Sequence, residues 1–333
     1  MTARMMERIV LVRHVEGAPQ PADFRVETLP IPELAEGQFL IANRFVSCDP
    51  GTRSRLSPGA SYARPVMPGE PVDGFCVGEV VESRNARFAV GQRVTATGWA
   101  SHVVSSGKGY VLPLPDLDVP ESLWLGILGV PGMTAWFALK RVAELKPGAR
   151  VLITSAAGPV GTTAGQLAKR WGAAHVVGVA GGAEKCRWLA EVAGFDEALD
   201  YKAPGFEAAF AEAAGPGFDV MLDNVGNAMI DRALPHMKVF GRIVLSGATA
   251  DYLADTVPGV VNMREMIAKR LRMEGILVFD DLPGFAEAQA GIAAMVADGL
   301  VYREEIFDGL ATLPDAFCGL FTGASFGRRL VRI

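Results

Sequence analysis

The chain has 333 residues, about twice the ~150-residue prior for one domain, which points to two domains or to one large α/β unit with an appended lobe. Half of its residues are hydrophobic, 21% are charged and 38 are glycine, a globular α/β composition that excludes a disordered or fibrous chain. The net charge of −5, with no Lys/Arg cluster beyond short pairs such as Arg328-Arg329, lacks the footprint of phosphate-backbone binding and excludes nucleic acid as the expected partner.

Residues 1–13 carry Arg4, Glu7 and Arg8 and no apolar run before a small-residue cleavage site, so no secretory signal is expected there. Residues 122–140, the longest apolar stretch, are broken by Gly126, Gly129, Pro131 and Gly132, so no membrane span is expected and the cytoplasm is the expected address. Cys48, Cys76, Cys186 and Cys318 lie far apart and read as reduced thiols.

From residue 9 to about 120, short apolar or alternating runs (9–12, 39–42, 77–81, 93–96, 102–104) separated by Gly and Pro predict a β-rich lobe. Beyond residue 120, helical runs alternate with short β-branched runs, the pattern of βαβ units in a doubly wound parallel sheet. Residues 145–148 close one predicted helix. Strands follow at 150–154, 175–179, 218–222, 242–245 and 275–279, with helices at 160–171 and 184–192. Strand-like text returns at 302–307 and 329–333, so the tail is expected to rejoin the first lobe. The expected division is 1–122, completed by 300–333, against 123–299.

The strongest local signal is Ser155-Ala156-Ala157-Gly158-Pro159-Val160-Gly161, directly after a predicted strand and opening a helix. Such a turn brings backbone close to a dinucleotide pyrophosphate, whose charge sits against the unsatisfied N–H groups and positive dipole of the helix N-terminus. Only the last two glycines of G-x-G-x-x-G are present, with Ala156 at the first. At the end of the next strand, where an Asp or Glu accepts from the adenosine ribose and repels a 2′-phosphate, the chain reads Ala180-Gly181-Gly182 and Lys185 follows. The expected cofactor is therefore NADPH. Glu184 is the alternative ribose partner if the strand ends later.

Cys48-Asp49 resembles the start of a zinc site, but His14, His102, His175 and His236 are none of them paired at ligand spacing, and no metal ligand set is expected. Alcohol oxidation then lacks its usual Lewis acid. Hydride addition to an activated C=C needs only alignment and a hydrogen bond to the developing enolate.

The order of β-lobe, Ala156 to Gly161, Gly181 to Lys185 and Asp223-Asn224-Val225-Gly226 resembles the zinc-independent medium-chain dehydrogenase/reductase superfamily. More narrowly, it resembles the leukotriene B4 12-hydroxydehydrogenase/prostaglandin reductase group with its bacterial curcumin reductases. Arg13 to Phe24, Gly132-Met133-Thr134-Ala135, Asp200-Tyr201-Lys202 and Gly327 to Ile333 carry the likeness along the whole chain. The resemblance implies a GroES-like lobe, a Rossmann NADP-binding domain with NADPH between them, and reduction of the double bond of an α,β-unsaturated ketone or aldehyde. It implies Gly158, Pro159, Val160 and Gly161 at the pyrophosphate, Lys185 and Tyr201 at the adenosine 2′-phosphate, and Ala157 and Gly182 among the cofactor-binding residues. Asn224, Ser246, Gly247, Ala248, Tyr252, Leu277 and Val278 fall at the nicotinamide half. Tyr252, and after it Tyr62, are the candidate catalytic groups, a phenol able to hydrogen-bond the enolate or relay the proton; the alternative is a packing tyrosine. Gly51, Tyr62, Tyr252 and Phe279 make up the expected substrate pocket, and a homodimer is expected, paired edge to edge through residues 275–279.

Two departures stand out. The family commonly reads D-P-Y-M-R where this chain has Asp49-Pro50-Gly51-Thr52-Arg53, which predicts a wider substrate site. Near the C-terminus, Ser325 replaces a cofactor-contacting asparagine. Competing readings are a quinone oxidoreductase, an enoyl-thioester reductase and, in another class, a non-catalytic NADPH-binding sensor or partner protein.

Overall fold

The structure is a computed structural model that describes residues 4–58, 63–254 and 256–333. The chain separates into two units, one formed by the stretch up to Leu125 with Glu304–Ile333, the other by Gly126–Arg303.

In the first unit, the apolar alternation forms β1 (Met5–Leu11), β2 (Phe24–Pro30), β3 (Phe39–Ser47), β4 (Phe75–Ser83), β5 (Arg93–Thr97), β6 (His102–Ser105) and β7 (Leu112–Pro113). β1 and β2 pair antiparallel. The core gathers Ile9, Leu11, Phe24, Phe39, Ile41, Val80, Trp99 and Phe317, all essentially out of water.

The second unit begins with α1 (Val130–Phe137), which continues as one wider turn to Val142. The helix therefore ends before the expected 145–148; at Glu144 the backbone takes a left-handed φ of 46°, which a helix does not continue through. Next come β8 (Arg150–Ile153), α2 (Pro159–Arg170), β9 (His175–Ala180), α3 (Ala183–Glu191), β10 (Glu197–Asp200), α4 (Phe206–Ala214), β11 (Phe218–Asp223), α5 (Asn227–Ala233), β12 (Met237–Leu245), α6 (Arg264–Lys269), β13 (Arg272–Gly275) and α7 (Phe285–Ala297). The sheet order is β10-β9-β8-β11-β12-β13 and every pairing is parallel, the doubly wound order whose first strand sits at the centre. Among the described residues no helix is long and apolar enough to cross a membrane.

The strand expected at 275–279 is corrected. The strand is Arg272–Gly275, and the apolar residues after Ile276 leave the sheet into a 3-10 segment, Val278–Gly284.

The chain then returns to the first unit through β14 (Glu304–Asp308), α8 (Leu313–Cys318) and β15 (Arg328–Arg332). β15 lies between β14 and β3, so the tail completes a sheet of order β14-β15-β3-β4-β5-β7, with β6 also on β3.

One packing feature sets how closely α2 lies on the sheet. The buried Phe195 ring fills the space between α2 and β9, made by Gly165 on the helix and Gly178 on the strand. A Cβ at Gly178 would stand 2.8 Å from the ring, and one at Gly165 would overlap it. Gly165→Ala is therefore expected to destabilise by about 1–3 kcal/mol through overpacking, with Phe195→Leu in the same chain restoring part of the loss. Urea unfolding midpoints measure this; a Gly165→Ala midpoint equal to wild type contradicts the packing.

Candidate functional site

The glycine turn lies between β8 and α2. Ser155 takes φ 48°, the Gly158 N–H donates to Ser155 O at 3.0 Å, and the Ala156 N–H donates to Val179 O at 2.9 Å. Gly161 is required by close approach, since a Cβ there would lie 2.6 Å from Ala156 Cα and from Ser155 O. At Gly158 the nearest atom to an added Cβ is 3.3 Å away, a milder restriction. Gly158 is the N-cap, Pro159 follows in the first turn, and no side chain caps the end. Pro159 has no N–H and the Thr162 N–H donates to Gly158 O at 2.9 Å, so the Val160 and Gly161 amides of this twelve-residue helix are the ones facing an outside acceptor, with the dipole favouring an anion.

Beside it, β9 ends at Ala180, and Gly182 (φ 105°) opens α3 with nothing within 4 Å of where its Cβ would be. The Tyr201 ring packs on Gly181, at 2.7 Å from the position of a Cβ, while Tyr201 is half exposed and Lys202 lies 5.7 Å from its ring centroid. Lys185 is the third residue of α3, in its first turn directly after Glu184. Sequence reading missed Asp200, which the end of β10 brings to this point. Its Oδ1 accepts the Gly182 N–H at 2.8 Å and the Lys202 N–H at 2.9 Å, and the Gly182 bond foremost holds the carboxyl below its usual range. That oxygen serves the turn.

The ends of β8 and β11 carry a buried polar network. The Thr154 hydroxyl donates to Asp223 Oδ1 at 2.7 Å and accepts the Asn224 N–H at 2.8 Å. Asn224 Nδ2 donates to Thr154 O at 2.9 Å, and the Gly226 N–H donates to Asp223 Oδ2 at 2.8 Å. Asp223 is fully buried, and that burial pushes its carboxyl up to about 6 against the hydrogen bonds that lower it. After β12, the Ser246 N–H donates to Asp223 O at 2.8 Å, which folds Ser246, Gly247 and Ala248 toward the same edge. Tyr252 follows in the 3-10 turn Asp251–Leu253, and desolvation first of all raises its phenol above the ordinary value.

The structure thus collects the 155–161 turn, Gly182, Lys185, Tyr201, Asn224, Ser246, Gly247 and Ala248 at the carboxyl ends of β8 to β12, where open α/β sheets bind ligands. Leu277, 37% exposed, and buried Val278 follow β13 at the same edge, with half-buried Phe279 next in the 3-10 segment. Gly51 and Ser325 belong to the first unit. There Arg53 donates to Gly17 O, Val15 O and Ser57 Oγ, and Asp49 accepts from Arg328 at 2.7 Å, so both hold the lobe together. Tyr62 lies outside the described residues. Among the described residues no three His, Cys, Asp or Glu side chains converge as a metal site, and burial pushes the Cys76 thiol up to about 12.

Residues 7–112 match the family described as N-terminal domain of oxidoreductase, and residues 159–296 the family described as zinc-binding dehydrogenase. The chain is 38% identical to the NADPH-dependent curcumin reductase of Escherichia coli over 98% of this chain and 96% of that one. It is 36% identical to a 2-alkenal reductase (NADP(+)-dependent) of Nicotiana tabacum, over 98% and 97%. The crystal structure of CurA from Vibrio vulnificus in complex with NADPH superposes with a TM-score of 0.92 at 35% identity, covering 98% of both chains. The fold and the glycine turn define a medium-chain dehydrogenase/reductase. Within that superfamily the chain belongs to the family of the alkenal, curcumin and prostaglandin reductases.

Asp223 makes a signed pH prediction. Its folded pKa lies above the unfolded value, so the folded state holds the proton more tightly and stability falls as pH rises through this range. Asp223→Asn removes the effect. Between about pH 5 and about pH 7.5, wild type is expected to lose about 1 kcal/mol of unfolding free energy relative to the variant. Parallel stability profiles of the two proteins in urea titrations rule this out.

Proposed function

We propose that this protein reduces the C=C bond of α,β-unsaturated ketones and aldehydes, working without zinc. It is an NADP-dependent oxidoreductase acting on CH–CH groups, and NADPH is its cofactor. The observation that carries the reading is likeness along nearly the whole chain to NADP-dependent alkenal and curcumin reductases.

The residues present fit that cofactor. The uncapped α2 N-terminus offers amides to a pyrophosphate, the Gly182 turn is open, and no carboxylate occupies Ala180-Gly181-Gly182. Asp200, which does reach the turn, gives an oxygen to backbone amides. In this reading residues 157–161 hold the pyrophosphate, and Lys185 and Tyr201 hold the adenosine 2′-phosphate. Asn224, Ser246, Gly247, Ala248, Leu277 and Val278 serve the nicotinamide half. When bound, NADPH supplies the hydride that adds to the β-carbon. Tyr252, a phenol whose burial further favours its neutral form, hydrogen-bonds the carbonyl oxygen as enolate charge develops or passes a proton toward the α-carbon. Gly51 leaves room for bulky substrates. The proposal of operation without zinc rests on the sequence, where the four histidines are none of them paired at ligand spacing.

We also propose a homodimer paired through β13, an edge strand with one neighbour in its sheet. Light scattering should return twice the chain mass; a monomer removes this pairing.

Oxidation of NADPH and NADH is followed against small enals, bulky aryl enones, a quinone and an enoyl thioester. Enone turnover with NADPH strongly preferred is expected, with bulky enones ahead of small enals. Lys185→Ala should raise the KM for NADPH about tenfold and leave that for NADH nearly unchanged. Turnover confined to the quinone or the thioester moves the substrate class, and tight NADPH binding without any turnover favours a non-catalytic role.

A further inference from the structure

We propose that Asp251 is a positioning residue for Tyr252: its carboxylate fastens the turn that carries the phenol to the loop that carries Asn224. The inference rests on the reading of Tyr252 given above.

The Asp251 carboxylate reaches back to the β11–α5 loop, where Oδ2 accepts the Asn227 N–H at 3.1 Å. It lies directly over Gly226. A Cβ built on Gly226 would collide with the carboxylate, and Gly226 also takes φ 123°, so glycine meets two demands here, one conformational and one spatial. The Gly226 N–H donates to the buried Asp223 at 2.8 Å, so the loop is gripped by one carboxylate at Gly226 and by the other at Asn227.

Three further bonds join the same two segments. Thr249 gives its N–H and its hydroxyl to Asn224 O at 3.2 and 2.9 Å, and the Ala250 N–H donates to Val225 O at 3.0 Å. They anchor the start of the turn. Asp251 anchors its far side, one residue from the phenol, and the Tyr252 N–H closes the turn on Ala248 O at 3.0 Å. Without the carboxylate, residues 251–254 keep mainly local backbone bonds, such as the Ala254 N–H to Asp251 O at 3.3 Å. A reacting group displaced by about 1 Å can lose up to about a hundredfold in rate. The Asp251 charge also opposes ionisation of the neighbouring phenol, which helps it keep its proton.

A double-mutant cycle tests this on the full-length protein with NADPH and one enone substrate. Asp251→Ala is expected to lower kcat about tenfold while changing NADPH affinity, read by fluorescence quenching, by less than about threefold. Asp251→Asn, which keeps an oxygen acceptor for the Asn227 N–H, should recover most of the rate. In a Tyr252→Phe background, Asp251→Ala should cost less than about twofold more, because the group it positions is gone. Should Asp251→Ala not be recovered folded, Asp251→Ser, whose hydroxyl is too short to reach Asn227, takes its place in the cycle. An unchanged kcat for Asp251→Ala, or full additivity with Tyr252→Phe, overturns the proposal and leaves the reading of Tyr252 standing. A Tyr252→Phe enzyme with wild-type kcat overturns that reading, and the proposal with it.

Discussion

The hydrogen bond from Thr154 to the buried Asp223 carboxylate spans the point where the sheet's connections run off in opposite directions, from β8 toward β9 and from β11 toward β12. A carboxylate taken out of water must be met by donors or be protonated, and here both forces act. The Thr154 hydroxyl and the Gly226 N–H supply two donors, yet desolvation still wins and raises the acid. Because the hydroxyl that gives its proton to Asp223 also accepts the Asn224 N–H, one oxygen fixes the end of β8 and the loop after β11 together. The peptide carbonyl of Asp223 then receives the Ser246 N–H, which draws in the loop after β12. Three loops of the proposed cofactor site thus hang on one residue pair.

The other half of the edge is governed by what is small. Gly161 lets α2 start against the Ser155-Ala156 backbone, and Gly165 and Gly178 let it settle on the sheet with Phe195 between. Directional amides at a helix start are useful to an anion only if nothing nearby competes for them. Gly158, without a side chain, does not. Asp200 reaches the neighbouring turn from the end of β10, and it shows how a carboxylate can stand near a phosphate subsite. Two backbone N–H groups take up one oxygen, so the acid is part of the turn that shapes the site.

What could be read from the sequence follows burial. The interior strands β8, β9, β11 and β12 are apolar runs between turn residues, and they stand near where those runs predicted them. The edges were illegible. β10 and β13 are short and carry Glu197 and Asp200, or Arg272 and Glu274, because an edge strand faces water, so the nearby apolar run at 276–279 was mistaken for the last strand. β12 also begins five residues before its predicted start, since Phe240 at φ 65° breaks the alternation and the register jumps between Met237 and Arg242. In the site, the glycine turn was visible because its demands are local. Thr154 with Asp223 was visible only as a polar residue closing each of two apolar strands; that they bond each other across 69 positions is a product of the sheet order.

A C=C reduction asks little of the protein beyond placement, and the two units contribute to it unequally in named chemistry. The described part of the first unit invests its charged groups in itself: Arg53 in three contacts that close a loop, Arg328 on Asp49, Arg329 on Glu305 at 2.6 Å. The second unit holds the groups suited to proton handling. Among them, Tyr252 is a donor whose burial favours its neutral form, on the turn after β12, while Asp223, buried deeper, is already committed to Thr154 and Gly226. An acid engaged on both oxygens cannot also serve a substrate without giving up a bond that holds the loops. The turn that carries Tyr252 is held by backbone bonds and by the Asp251 carboxylate, so the proposed reaction can draw on the phenol without loosening those loops.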